Sequence, residues 1–218
     1  MDASAYTGFH KTLAERIIPL LSADDTLCDI GCGLGRLDLE LAPYVSEILA
    51  VDVNEYAAKM LKRDAERAGL RNLQVCIKDA AELDGSFDIV LLSLFGGLEI
   101  QRYLELCRKK LIMIVGSGRK SGLYPERYRR EIKNAVPDVK KVLEAMDIRF
   151  TLESYAHEFG QPLRTMGEAE LFILSNAPEA GHDEVDEFLN ANIRTTDSNE
   201  FPYYLPYLKE LGIFVIDK

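Results

Sequence analysis

Along most of this chain, short apolar runs alternate with stretches whose apolar residues recur at helical spacing. Phe9, Leu13, Ile17 and Leu20 fall on one helical face, which predicts a leading helix over residues 6–21. Residues 26–30 predict a first strand, 31–35 a tight glycine loop and 34–43 a helix, with a second strand at 47–52. Asn54 is placed to cap a helix that runs to Ala68 and stops at Gly69.

The same alternation continues with a third strand at 73–77, a fourth at 87–93, a helix over 99–110 and a fifth strand at 111–115. Pro125 and Pro137 each suit the first turn of a helix, so 125–146 predicts two helices in sequence. A sixth strand is expected over 149–159. Thr165-Met166-Gly167-Glu168 has the pattern of a capping box ahead of a helix. A further helix near 183–192 and a last strand at 212–217 complete the chain. This pattern predicts an α/β, Rossmann-like, mostly parallel sheet with helices on both faces. Such a sheet binds ligands outside the carboxyl ends of its strands, near the switch in strand order. With no repeat or linker in view, residues 1–218 are expected to form a single domain, with 160–192 inserted as a helical lid.

Composition narrows the partners. No apolar run approaches the ~18–20 residues of a membrane span, and the first residues lack the basic and apolar regions of a secretion signal. A cytoplasmic protein without membrane partners is the expectation. The formal net charge of -10 repels polyanions at long range and makes nucleic acid an unlikely partner. Locally, 119–141 carries eight basic residues while the stretch after Asn176 is acidic. Two solvated surfaces explain this; a patch receiving an anionic partner is the sharper alternative. Four cysteines include no CxxC pair, and acids and histidines do not combine at ligand spacing, so no metal is expected. Cys28, Cys76 and Cys107 lie in apolar runs and predict inert core thiols.

The chemistry concentrates at the strand ends. After the first strand stands Asp29-Ile30-Gly31-Cys32-Gly33-Leu34-Gly35-Arg36. Glycines at alternate positions allow positive φ and close approach of a ligand to the backbone. A dinucleotide fingerprint would need glycine where Arg36 stands, and Asp29 disfavours a pyrophosphate while suiting a cation. The second strand ends in Asp52, placed to accept from ribose hydroxyls, and Asp79 follows the third, placed to accept from an adenine amine.

This arrangement resembles the class I S-adenosylmethionine-dependent methyltransferases. The resemblance is clear over residues 26–116 and looser over the whole chain. It implies seven strands with the last antiparallel, and S-adenosylmethionine as cofactor. It implies that Asp29, Gly31, Cys32, Gly33 and Gly35 hold the methionine part. Asp52 would hold the ribose, Val53, Asp79 and Ala80 would surround the adenine, and Ser93 and Leu94 would line the sulfonium end. The reaction implied is methyl transfer by in-line displacement, which rests mainly on alignment.

The acceptor is less defined. The acidic surface favours a small molecule; a protein or RNA acceptor using the 119–141 patch, or a cofactor-binding protein without catalysis, are the alternatives. His10 stands one turn from Tyr6 on the leading helix, and His157 lies near the end of the sixth strand, so Tyr6, His10 and His157 are the candidate catalytic residues. Tyr124 is a further candidate at the pocket mouth, while His182 reads as a surface residue. Aromatics and prolines crowd residues 201–207, which suits packing of the lid or a cage for a cation. A monomer or a homodimer is expected.

Overall fold

The computed structural model describes residues 3–118 and 120–218, and of Ser121 and Arg130 the main chain only. Seven segments pair into one sheet: β1 (Thr26–Ile30), β2 (Glu47–Asp52), β3 (Leu73–Ile77), β4 (Phe87–Ser93), β5 (Cys107–Gly116), β6 (Thr151–Glu158) and β7 (Leu208–Asp217). Their order is β3-β2-β1-β4-β5-β7-β6. Neighbours from β3 to β5 run parallel and β7 runs antiparallel to β5, giving the expected Rossmann-like mixed sheet. The order reverses between β1 and β4, so a crevice opens at their carboxyl ends.

Successive residues of a strand point to opposite faces. In β4, Ile89, Val90, Leu91 and Leu92 are all buried, so helices must cover both faces. One face packs Cys28, Val90, Leu92, Met113 and Phe214 against α4 (Ile100–Leu106) and α5 (Val136–Ala145). The remaining helices of the Rossmann-like layer are α1 (Phe9–Ile17), α2 (Arg36–Leu41) and α3 (Glu55–Arg67). As the sequence predicts, Asn54 caps α3 by accepting from the amides of Tyr56 and Ala57, and Gly69 follows with φ +71°.

By internal contacts the chain divides into two compact units. The sheet unit comprises His10–Ser117, Asn134–Tyr155 and Leu211–Lys218; the other comprises Met1–Phe9, Gly118–Lys133 and Ala156–Glu210. In the second unit α6 (Met166–Asn176) and α7 (His182–Asn192) pack through Ala169, Ile173, Val185 and Leu189, with Leu163 and Leu205. Gln161–Leu163, Tyr203–Leu205 and Arg194–Thr195 form a small antiparallel sheet there. Thr165 caps α6 by accepting from the Glu168 amide, while the Glu168 carboxylate accepts from the amide of Arg164 rather than of Thr165.

Three expectations are corrected. The leading helix is broken at Gly8, whose φ of +67° ends one short helix, Ala3–Thr7, before α1 begins. Tyr6 and His10 therefore do not share one continuous helical face. The region 125–146 holds one helix, because Glu126–Tyr128 is a single 3-10 turn and Arg130–Glu131 pairs as a short strand with Lys120–Ser121. The helix expected over 99–110 stops at Leu106, and β5 begins at Cys107. There Arg108 and Lys109 reach Asp88 at 2.9 and 3.3 Å. The 201–207 run, to which the sequence assigned no element, holds the strand Tyr203–Leu205, the middle of the small sheet.

Candidate functional site

A cleft opens at the switch point of the sheet. Gly31, Asp52, Val53, Ala80, Leu94 and Phe95 contribute to its wall. The loop after β1 takes positive φ at Gly31, Gly33 and Gly35 (78°, 56° and 61°). Each glycine answers to a different neighbour. A Cβ on Gly31 would meet the Phe95 ring at 2.3 Å, and one on Gly35 would meet the Leu61 side chain of α3 at 2.3 Å. A Cβ on Gly33 would meet nothing within 4 Å. Gly33 is thus the position whose surroundings leave room for a ligand.

Asp52 ties this loop to the end of β2. Gly33 N–H donates to its Oδ2 at 2.7 Å, and Asn54 N–H donates to its Oδ1 at 2.8 Å. The carboxylate is held in one orientation at the cleft edge, and each oxygen keeps a second lone pair. Beyond β3, Asp79 caps the turn Ala80–Glu82 by accepting from the Ala81 amide at 2.7 Å. Asp79 is exposed, and Ala80 rather than Asp79 lines the cleft. From α4, Arg102 donates to the carbonyls of Ala80, Ala81 and Leu83, holding that wall in place.

At the far side β4 ends in Ser93, paired with Ile114, and the chain then turns through Leu94 at φ +54°. That conformation costs a non-glycine residue on the order of 1–3 kcal/mol, and such strain concentrates at functional sites. The turn sets Phe95 over Gly31, where the edge of Tyr103 meets its ring at 6.1 Å and 80°.

Asp29 is almost wholly buried, at 2% exposure, and Asp38 in the first turn of α2 is buried completely. Burial, then the charge of Asp38, raises the Asp29 carboxyl well above the ordinary range. Burial pushes Asp38 up to about 7. The Cys32 thiol in the loop is likewise pushed up by burial, then by Asp38 and Asp29, and stays neutral.

The site residues expected from sequence therefore divide. Gly31, Asp52, Val53, Ala80 and Leu94 line one cleft, with Gly33 bonded to Asp52. Asp29, Cys32, Gly35, Asp79 and Ser93 flank it within the same unit. Lys78, Phe95 and Gly96 also line it and were missed; an aromatic just past a strand end carries no signal that separates it from core.

The three catalytic candidates divide between the two units. His10 belongs to the sheet unit, whereas Tyr6 and His157 belong to the second. His157 Nε2 lies 2.9 Å from the Thr7 carbonyl oxygen, and its ring is 5.8 Å from that of Phe9. Tyr6 packs on Phe201 and Tyr204 at 5.9 and 5.7 Å. This aromatic cluster already has its own cations, with Arg164 over Phe201 and Lys209 over Phe9 and Phe159. Tyr124 is buried within the second unit, and His182 pairs with Glu170 at 2.7 Å.

Part of the 119–141 patch is internally paired. Arg127 bonds to Glu184, and Arg129 Nε donates to the Tyr124 carbonyl. Arg119 and the Arg130 side chain lie outside the described residues. Among the described residues no cluster of ligating groups could hold a metal, and no helix is long and apolar enough to cross a membrane.

Residues 21–171 match the family described as "Methyltransferase domain". Among curated proteins, the "Probable cobalt-precorrin-6B C(15)-methyltransferase (decarboxylating)" of Methanococcus maripaludis strain C7 is 28% identical over 92 residues, covering 42% of this chain and 51% of that protein. The ribosomal protein L11 methyltransferase of Thermotoga neapolitana is 28% identical over 119 residues, covering 50% and 44%. The chain thus spans about half the length of these relatives. Among solved structures, magnesium protoporphyrin IX methyltransferase from Synechocystis PCC 6803 with bound S-adenosylmethionine superposes with a TM-score of 0.53. It is 15% identical, covers 94% of this chain and 79% of that one, and shows the shared fold. The match extends over more than half of the chain, which belongs to the methyltransferase domain family, among the class I S-adenosylmethionine-dependent methyltransferases.

Proposed function

We propose that this chain binds S-adenosylmethionine in the switch-point cleft and transfers its methyl group to a small-molecule acceptor. The observation that carries the reading is the Asp52 carboxylate, fixed by the amides of Gly33 and Asn54 beside a glycine with open space before it. Asp52 would accept from the ribose hydroxyls, Val53 and Ala80 would flank the adenine with Asp79 near its amine, and the loop from Asp29 to Gly35 would hold the aminoacyl end. Ser93 and Leu94 would border the sulfonium, which the face of Phe95 suits. When bound, the cofactor supplies an electrophilic methyl group. The residues of the chain then orient it, exclude water and fix the line of attack, which is where most of the rate enhancement for a displacement arises. Tyr6, His10 and His157 stay as proposals for proton transfer from the acceptor.

The acidic net charge and the tetrapyrrole chemistry named for two relatives support a small-molecule acceptor. Residues beyond 171 lie outside the family match and include the end of α6 and all of α7, so the inserted 160–192 segment is the natural place for acceptor selection as a lid. A cytoplasmic location agrees with this chemistry. The ribosomal-protein relative favours a second reading, a protein acceptor. Formation of S-adenosylhomocysteine against separate panels tests the choice. Turnover with planar macrocyclic acids or other small molecules supports the proposal; turnover with protein fractions alone would replace it with the second reading.

A further inference from the structure

Asp38 has no part in the site as described, yet it is the most deeply buried acid beside it. Apart from each other and the amide of Asp38 itself, neither oxygen of Asp38 nor Oδ1 of Asp29 has a hydrogen-bond partner among the described residues. Two carboxyl groups in contact and away from water cannot both be ionised, so the pair holds a proton. The groups that bear on it do not offset a second negative charge. From β1 and the loop come the Cys28 and Cys32 thiols, kept neutral by burial, and from β2 comes the Asp52 carboxylate. The nearest guanidinium in sequence, Arg36, turns to Asp64 of α3 at 3.5 Å.

We propose that Asp38 is a positioning residue of the cofactor site, acting through Asp29: the pair keeps a shared proton in the free protein and releases it to solvent when a cationic sulfonium cofactor is seated at the glycine loop. The inference rests on the cofactor reading above. Without ligand, the shared proton spares the fold a second buried charge. With a cation near the loop, the ionised form is favoured, and the leading acid of the loop becomes the anion that the ligand requires.

Linkage then makes affinity depend on pH. Where the pair holds its proton, affinity rises by up to about tenfold per pH unit, and it levels off above the apparent pKa of the pair. Titration calorimetry with S-adenosylmethionine across this range, in buffers of different ionisation heat, reads both the slope and the protons released. The wild-type protein should release a fraction of a proton, up to one, on the rising limb. Asp38→Asn keeps the shape and a donor for Asp29 but removes the neighbouring negative charge. It should move the break to lower pH and release fewer protons at the same pH. If that variant fails to fold, Asp29→Asn should abolish the shared proton in the same assay. Binding without proton release in the wild type, or an unchanged profile in Asp38→Asn, overturns the proposal while leaving the cofactor reading intact. Absence of binding at every pH overturns both.

Discussion

Gly31, Gly33 and Gly35 look alike in sequence, but they are glycines for three different reasons. All have positive φ, a conformation costing other L-residues ~1–2 kcal/mol. Gly35 additionally faces the fully buried Leu61, so Gly35→Ala adds an overpacking cost of ~1–3 kcal/mol. Gly33→Ala should cost only the backbone strain while placing a methyl where a ligand would lie. Thermal melts should therefore rank Gly35→Ala well below Gly33→Ala, whereas cofactor affinity should fall in the folded Gly33→Ala protein. Equal loss of stability in both would contradict the assignment of Gly33 to the ligand side. The glycines and Asp52 were legible because each stands at a strand end with a residue type suited to a nucleoside. Phe95 and Lys78 were not, since only the turn at Leu94 and the end of β3 bring them to the cleft wall.

The strands from β1 to β4 match their predicted bounds because each is an apolar run closed by polar or glycine residues. Prediction failed where a local signal had a tertiary competitor. Pro125 suits a helix start, but Arg130–Glu131 finds a strand partner instead; the 107–110 stretch suits a helix end, but its cations find Asp88. The short strand Tyr203–Leu205 was invisible because one of its partners, Gln161–Leu163, lies some forty residues away in sequence and the other, Arg194–Thr195, is only two residues long. Caps, being local, were read well. Asn54→Ala removes the acceptor for two amides of α3 and should cost ~1 kcal/mol. For a chain of this size that lowers the melting temperature by roughly 2–4 °C. Because Asn54 N–H still donates to Asp52, cofactor affinity should change little; a loss matching that of Asp52→Ala would mean that the cap itself belongs to the site.

At the scale of the molecule, the sheet order β3-β2-β1-β4-β5-β7-β6 is what places the loop, Asp52 and Phe95 around one crevice. The alternation of strands and helices made the class of sheet legible, and the resemblance supplied the antiparallel last strand. The division into two units was not legible, because the second unit is assembled from three stretches separated in sequence. Two sets of buried acids also give the molecule opposite responses to pH. Hydrogen bonding to Arg108 holds Asp88 well below the ordinary carboxylate range, so its contribution is present above pH ~4 and lost as pH falls further. Burial raises Asp29 and Asp38, so theirs is present below pH ~4 and lost as pH rises, for Asp38 through about 7. The central claim is that the switch-point cleft is a sulfonium-nucleoside site anchored by Asp52. The measurement that tests it most directly is calorimetric titration of the protein and of Asp52→Ala with S-adenosylmethionine, with NAD as competitor. The account predicts micromolar-range binding that NAD does not displace and that weakens at least about tenfold in the variant, the ~1.4 kcal/mol expected for a lost charged acceptor. No binding, displacement by NAD, or equal affinity in Asp52→Ala would contradict it.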